Sequence, residues 1–557
     1  MEAWKVESTI AQKRRQDALD SFPFKAPPVD DHDLPLDLRS YPKESGLLTD
    51  GELGIVESDA ETLLHRIRDR KLTSVEVAKA FCKATVIAQS LTNCVTEVLF
   101  DEGLERAKYL DDYIEETGRV VGPLHGLPIS LKDCYITPPH PSSSGLAIYA
   151  NSRTEPHTTS TIVRILREMG AVFYVKSNVP TGMMMPETMN NIWGETRNPL
   201  HKNLATGGSS GGEAALIALR ASPLGLGTDV GGSLRSPGGS CHLYCLKPSF
   251  GRFPTWGLRS SIPGLDIISS VSGPMSRELN TVKLFAEIVL SKEAAPWTSD
   301  QRMLRIPWRK DVIQPKGRPL RFAFMPFNDG VVTCYPPVER ALNIVKNILR
   351  DAGHDVIDWI PSKTNFELLG GQIFTRTCGD DLFSKLDTFD EPLLGALNMT
   401  FLDHKPPNAM VGPEEFSQMV PQRNQARKQF LDQWMAAASK DYGPIDGLIS
   451  PIAAAPAAPL HEDPVLGYIG YTVFANVLDL PSMTFPVTYA DKKLDLERGD
   501  GWTPNSERDG LIQDAYDAAF YHGAPISLQL IGKRLEDEKV VEMVEIVSRL
   551  IGFRHRA

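Results

Sequence analysis

Ser209 and Ser233 stand 24 residues apart on glycine-rich backbone, in GGSSGG and GTDVGGSLR, with the apolar run EAALIAL between them. A flexible linker would not carry that run, so it reads as a short helix joining two folded turns. A serine hydroxyl is a weak nucleophile until a base takes its proton. A lysine is such a base only when neutral, and burial favours the neutral form. Lys132 closes LPISLK, an apolar run bounded by turn residues, where a buried strand would place it. The competing assignment for Lys132 is an ion pair with Asp133 or another acid. Gly231 and Gly232 carry no side chain to block a substrate, and the successive amides of Val230, Gly231, Gly232 and Ser233 can converge on one oxygen. Such an array stabilises the oxyanion of an acyl transfer.

Other chemistries fit the same stretch less well. A phosphate loop needs Gly-Lys-Ser/Thr after its glycines, and none follows. A dinucleotide fingerprint fails because GLGTDV has Val230 where the third glycine belongs. Gly207 to Gly211 does match G-x-S-x-G, which makes Ser209 the nucleophile of a strand–turn–helix elbow. The polar stretch WGETRNPLHKNLAT precedes it where a strand is required, and the downstream histidines (242, 354, 404, 461, 522 and 555) sit in no telling context. Cys241, His242 and Cys245 form C-H-x-x-C without a second ligand pair nearby, so buried thiols are expected there rather than zinc. Neither a metal nor an organic cofactor is expected.

The elements that must position these groups alternate. LPISLK, AVFYVK, LRFAFMPF, HDVIDW, IDGLISPI, SMTFPV and ISLQLIG read as strands. AETLLHRIRDRK, VEVAKAFCKATVIAQSL, LERAKYLDDYIEET, STIVRILREMG, PPVERALNIVKNILRDAG and EDEKVVEMVEIVSRLIG read as helices. Ser58 with Glu61, and Thr73 with Glu76, have capping-box spacing. Residues 1–55 are polar and proline-punctuated and read as a surface arm, its first 15 residues as an amphipathic helix. Residues 56–557 form one domain, with a mainly helical, cap-like stretch at about 365–440. The alternation predicts an α/β layer architecture.

The bulk composition excludes several classes. A net charge of −11 over 557 residues argues against a nucleic-acid surface. No apolar run approaches the roughly 20 residues of a membrane-spanning helix, and the N-terminus has no apolar core of a signal peptide. The seven scattered cysteines read as reduced thiols, and a cytoplasmic location is the expectation.

Together the motifs resemble the amidase signature family, whose hallmark is a Ser-(cis)Ser-Lys triad. PISLKD, GGSSGG and GTDVGGSLR occur in the family's order, and the resemblance spans about residues 56–550. By that resemblance Ser233 is the nucleophile, Ser209 the bridging serine on a cis peptide and Lys132 the base. The amides of residues 230–233 form the oxyanion hole, and Ser210, Thr228, Asp229 and Arg235 support the triad. The implied fold is a single large α/β domain with a mostly parallel mixed central sheet surrounded by helices.

The sequence is most similar to the fungal acetamidase-like, or general, amidases, through VGPLHGLPISLKD, GAVFYVKSNVPTGMMMPETMNNIWGETRNP and YTVFANVLDLPSMTFPV. The implied reaction is hydrolysis of a carboxylic acid amide to the acid and ammonia or an amine. Carbamate esters or anilides are the alternative substrates of the same triad. A tRNA-dependent amidotransferase subunit ranks lower because of the acidic charge. A fatty acid amide hydrolase ranks lower because no apolar membrane-binding helix pair is seen. A non-catalytic binding protein would have lost Lys132, Ser209 or Ser233. CHLYCLKPSFGR and TPPHPSSSG depart from the general pattern and leave substrate choice open. Met183, Met184 and Met185 are assigned to the acyl pocket, with core packing as the alternative. The expected partner is a small-molecule amide, with no nucleic acid and no integral membrane segment, and a homodimer is left open.

Overall fold

A computed structural model describes residues 2–326, 329–360, 366–395, 411–460, 468–499 and 501–553. The strands are β1 (Val95–Val98), β2 (Pro128–Lys132), β3 (Val172–Ser177), β4 (Met189–Asn190), β5 (Gly194–Glu195), β6 (Gly225–Asp229), β7 (Tyr244–Lys247), β8 (Val271–Ser276), β9 (Arg321–Phe324), β10 (Asp355–Asp358), β11 (Gly447–Ser450), β12 (Ser482–Tyr489) and β13 (Pro525–Ile531). Eleven of them make one sheet in the order β1-β3-β2-β6-β8-β7-β12-β13-β11-β9-β10, and β4 and β5 form a separate hairpin. The sheet is mixed and helices surround it, so the α/β expectation holds. Among the described residues four of its ten pairings are parallel, in two blocks, β3-β2-β6 and β11-β9-β10. The strands between these blocks pair antiparallel.

β2, β3 and β13 are buried along their whole length. That is why they read as continuous apolar runs rather than alternating ones. β6 (GLGTD) and β8 (VSGPMS) carry glycine and proline, which are poor strand formers. Close approach explains their glycines. A Cβ at Gly225 would collide with the Glu213 carboxylate, and one at Gly273 with the Leu246 carbonyl.

Thr73 and Glu76 form the expected capping box, with Glu76 N–H donating to Thr73 Oγ1 at 3.0 Å and Thr73 N–H to Glu76 Oε2 at 2.7 Å. The box expected at Ser58 is absent. Asp59, one residue on, caps that helix through Thr62 N–H at 2.6 Å, and Ser58 Oγ donates to the Gly54 carbonyl instead. Within residues 1–55 a helix spans Ala3–Ser21 and buries only Ser8, Ala11 and Leu19. Its apolar contacts are few, among them Ala11 and Trp4 in a cluster with Ile192 and Trp193, and polar contacts add to them. Arg14 reaches Glu97 at 2.6 Å, and Arg15 stacks 4.9 Å over Trp193.

In the 365–440 stretch, helices run over Phe366–Asp387 and Pro413–Ala436, and residues 365 and 396–410 lie outside the described residues. The first helix lays Phe374 against Gly231, where a Cβ would meet the ring at 3.2 Å. No described helix is long and apolar enough to cross a membrane.

Candidate active site

β2 and β6 are parallel neighbours, so their C-terminal ends lie side by side and bring Lys132 next to Thr228 and Asp229. The crevice outside the carboxyl ends of such strands is where open α/β sheets bind ligands. The turn 207–210 enters the helix Gly211–Ala218. Behind it, a Cβ at Gly208 would press on the Met185 and Pro186 backbone at 2.8–3.0 Å, so only glycine fits the turn. The Gly208–Ser209 peptide is cis.

Lys132 Nζ, fully buried, donates to Ser209 Oγ at 2.7 Å and to Thr228 Oγ1 at 2.8 Å. Burial lowers its pKa from 10.5 to about 8, against smaller opposing effects that include Asp229 and Glu213. The competing ion pair with Asp133 does not form. Successive residues of an extended chain point to opposite sides, and Asp133 pairs with buried Lys176 at 2.8 Å. The proline-rich TPPHPSSSG loop closes that pair: Ser143 N–H donates to Asp133 at 3.0 Å, and Lys176 donates to the Pro141 carbonyl at 2.6 Å.

Ser209 and Ser233 both line one pocket of about 870 Å³. Ser209 is buried, whereas Ser233 is half-buried. Their segments are tied by Ser210 N–H, which donates to the Ser233 carbonyl at 3.2 Å, and Ser210 Oγ reaches the Thr228 carbonyl at 3.4 Å.

Asp229 organises the loop that carries Ser233. It accepts from Gly232 N–H at 2.9 Å and Leu234 N–H at 3.1 Å. It also pairs with the buried Arg235 guanidinium at 3.0 and 3.1 Å. Burial pushes the Asp229 carboxyl up, but the Arg235 charge outweighs it and holds the group well below the usual carboxylate range. Gly232 N–H is therefore committed to Asp229, which narrows the expected oxyanion donors to the amides of Val230, Gly231 and Ser233. Gly232 has φ 137°, and a Cβ there would press on the Thr472 side chain at 2.5–3.2 Å, so glycine is required on both grounds.

Met183 and Met184 line the pocket. Met185 does not: it is buried in an apolar cluster with Leu146, Ile262 and Leu382. Cys241 and Cys245 are buried in another cluster with Leu243 and Met275, and burial pushes both thiols up. His242 sits against the rings of Tyr489 and Phe553 and meets the Ile526 carbonyl at 3.2 Å. His242, His354 and His522 are not on the pocket wall, and His404, His461 and His555 lie outside the described residues. The elbow assignment of Ser209 thus gains no base from the described histidines it named.

Three residues of the site, Glu213, Asn476 and Gln529, were not legible as such. Glu213, in EAALIAL, is fully buried between Ser130 and Ser177, with Ser177 Oγ donating at 2.5 Å. Burial raises its carboxyl to about 7. Its signal is a single acid in an otherwise apolar run. Arg235 also donates to Asn476 at 2.6 Å and to Gln529 at 3.1 Å, and Asn476 in turn donates to Asp229 at 2.8 Å.

The family model Amidase matches residues 76–541. The acetamidase of Emericella nidulans is 38% identical over 92% of this chain and 92% of its own length. The acetamidase of Aspergillus oryzae is 37% identical over 96% of each. Among solved structures, a fatty acid amide hydrolase superposes with a TM-score of 0.91 at 30% identity, covering 99% of this chain and 95% of its own.

Proposed function

The chain belongs to the amidase family, and from that premise we propose that it hydrolyses a carboxylic acid amide to the acid and ammonia or an amine through an acyl-enzyme on Ser233. The observation that carries the reading is Lys132: fully buried, paired with hydroxyls and held at a pKa of about 8. A base near the working pH is the effective one. Neutral Lys132 accepts the proton of Ser209 Oγ, and Ser209 accepts that of Ser233 Oγ as Ser233 attacks the amide carbonyl. The amides of Val230, Gly231 and Ser233 hold the developing oxyanion. The proton returns through Ser209 to the leaving nitrogen, and water then cleaves the ester by the same relay. The residues of this relay need no metal or cofactor.

The acetamidase relatives support a simple primary amide as the substrate class. The cavity favours a second reading, an amide with a longer acyl part. About 870 Å³ lies in the range of pockets that hold drug-sized ligands. A panel from acetamide through hexanamide, benzamide and an anilide to a long-chain amide, run with the purified chain and with Ser233→Ala, tests the function and ranks the pocket. Turnover that disappears in the variant supports the triad. Turnover that survives Ser233→Ala removes it.

A further inference from the structure

The pocket wall carries four arginines, Arg164, Arg167, Arg259 and Arg302, and among the described residues no aspartate or glutamate. The chain as a whole has a net charge of −11, so this concentration of positive charge runs against the composition. Arg164, Arg167 and Arg302 are exposed and mark the mouth, and Arg164 is answered by Glu168 at 2.8 Å.

Arg259 lies deeper. It is half-buried, and its backbone N–H donates to the Cys134 carbonyl at 2.9 Å. Cys134 follows Lys132 by two residues, a span of at most about 7 Å. The Arg259 guanidinium lies 4.3 Å over the Tyr149 ring, and its buried Nε has no hydrogen-bond acceptor. Asp300, which follows the lining residue Ser299, is already spent on the amides of Thr255, Trp256 and Arg302, at 2.7, 2.8 and 2.9 Å.

A guanidinium stacked over an aromatic ring, on a wall whose described residues offer it no carboxylate, matches the planar, two-oxygen geometry of a carboxylate ligand. Leu258 and Ile262, on the same wall, offer apolar surface for the methylenes of a chain. We infer that the pocket takes an amide whose acyl chain ends in a carboxylate, and that Arg259 receives that carboxylate while the amide end meets Ser233. This inference rests on the amide-hydrolase reading and adds its substrate class.

The test uses two probes that differ in one group, adipamate (the monoamide of adipic acid) and hexanamide, bound to the Ser233→Ala chain by calorimetry. Adipamate is expected to bind at least about tenfold more tightly, with a preference that weakens as salt rises. Adding Arg259→Gln is expected to bring the two affinities together. Arg259→Lys keeps the charge but loses the two-pronged contact, so the preference should fall without vanishing; this variant serves if the glutamine form melts early. Equal or undetectable binding of adipamate, or a preference undiminished in both Arg259 variants, overturns the inference. Wild-type turnover of the neutral amide panel reports on the hydrolase reading separately.

Discussion

Lys176 Nζ stands 2.8 Å from Asp133 Oδ1 with both side chains fully buried, and this pairing takes the carboxylate next to Lys132 away from it. Lys132 is left with the hydroxyls of Ser209 and Thr228. A lysine buried against a carboxylate would stay charged, whereas one buried against hydroxyls gives up its proton more easily.

The kinetic consequence is a rise of kcat/KM with pH through about 8, as Lys132 loses its proton. A pH–rate profile with a neutral amide measures it. Lys132→Met should cost at least about 10³-fold in kcat/KM and remove that limb.

The same shift has a linked effect on stability. The folded-state pKa of about 8 lies below the ordinary 10.5, so between those values the unfolded chain binds more protons and folding gains stability as pH rises. Below about pH 8 the cost of burying the charge is fully present. The stability of wild type relative to Lys132→Met should therefore improve from pH 8 to 10.5, as read by denaturant unfolding at each pH.

Asp229 and Arg235 are both fully buried and bonded at 3.0 Å. Removing one partner strands a buried charge, and Asp229→Asn or Arg235→Met should each cost about 3–5 kcal/mol. The double variant should cost less than the sum of the two, which a double-mutant cycle on urea midpoints measures. Asp229→Asn should also lower kcat, because Asp229 fixes the loop that carries Ser233 through Gly232 N–H.

Gly225→Ala puts a methyl group into the Glu213 carboxylate, which is itself fixed by Ser130 and Ser177. Overpacking of this kind costs about 1–3 kcal/mol. A lower urea midpoint with an unchanged slope checks it.

The serine and lysine motifs were legible because their chemistry demands rare combinations: two hydroxyls on glycine backbone and a lysine ending an apolar strand. The fully buried strands β2, β3 and β13 were legible from apolar runs alone. β6 was not, although it carries Thr228 and Asp229, because its glycines answer to Glu213 and Leu234 in space rather than to strand propensity. The cap of the helix Ala60–Arg68 shifted to Asp59 because two good capping residues are adjacent and spacing alone does not choose between them. The assignment of Asp133 also needed three dimensions. Its partner Lys176 comes from β3, and the serines that close the pair come from a loop ten residues on.

The most direct measurement is mass spectrometry of the acid-quenched enzyme during turnover of an activated acyl substrate. One acyl group on Ser233, absent in Ser233→Ala and slowed in formation in Lys132→Met, is the predicted result. An acyl group on Ser209 instead, or full turnover by Ser233→Ala, would contradict the relay.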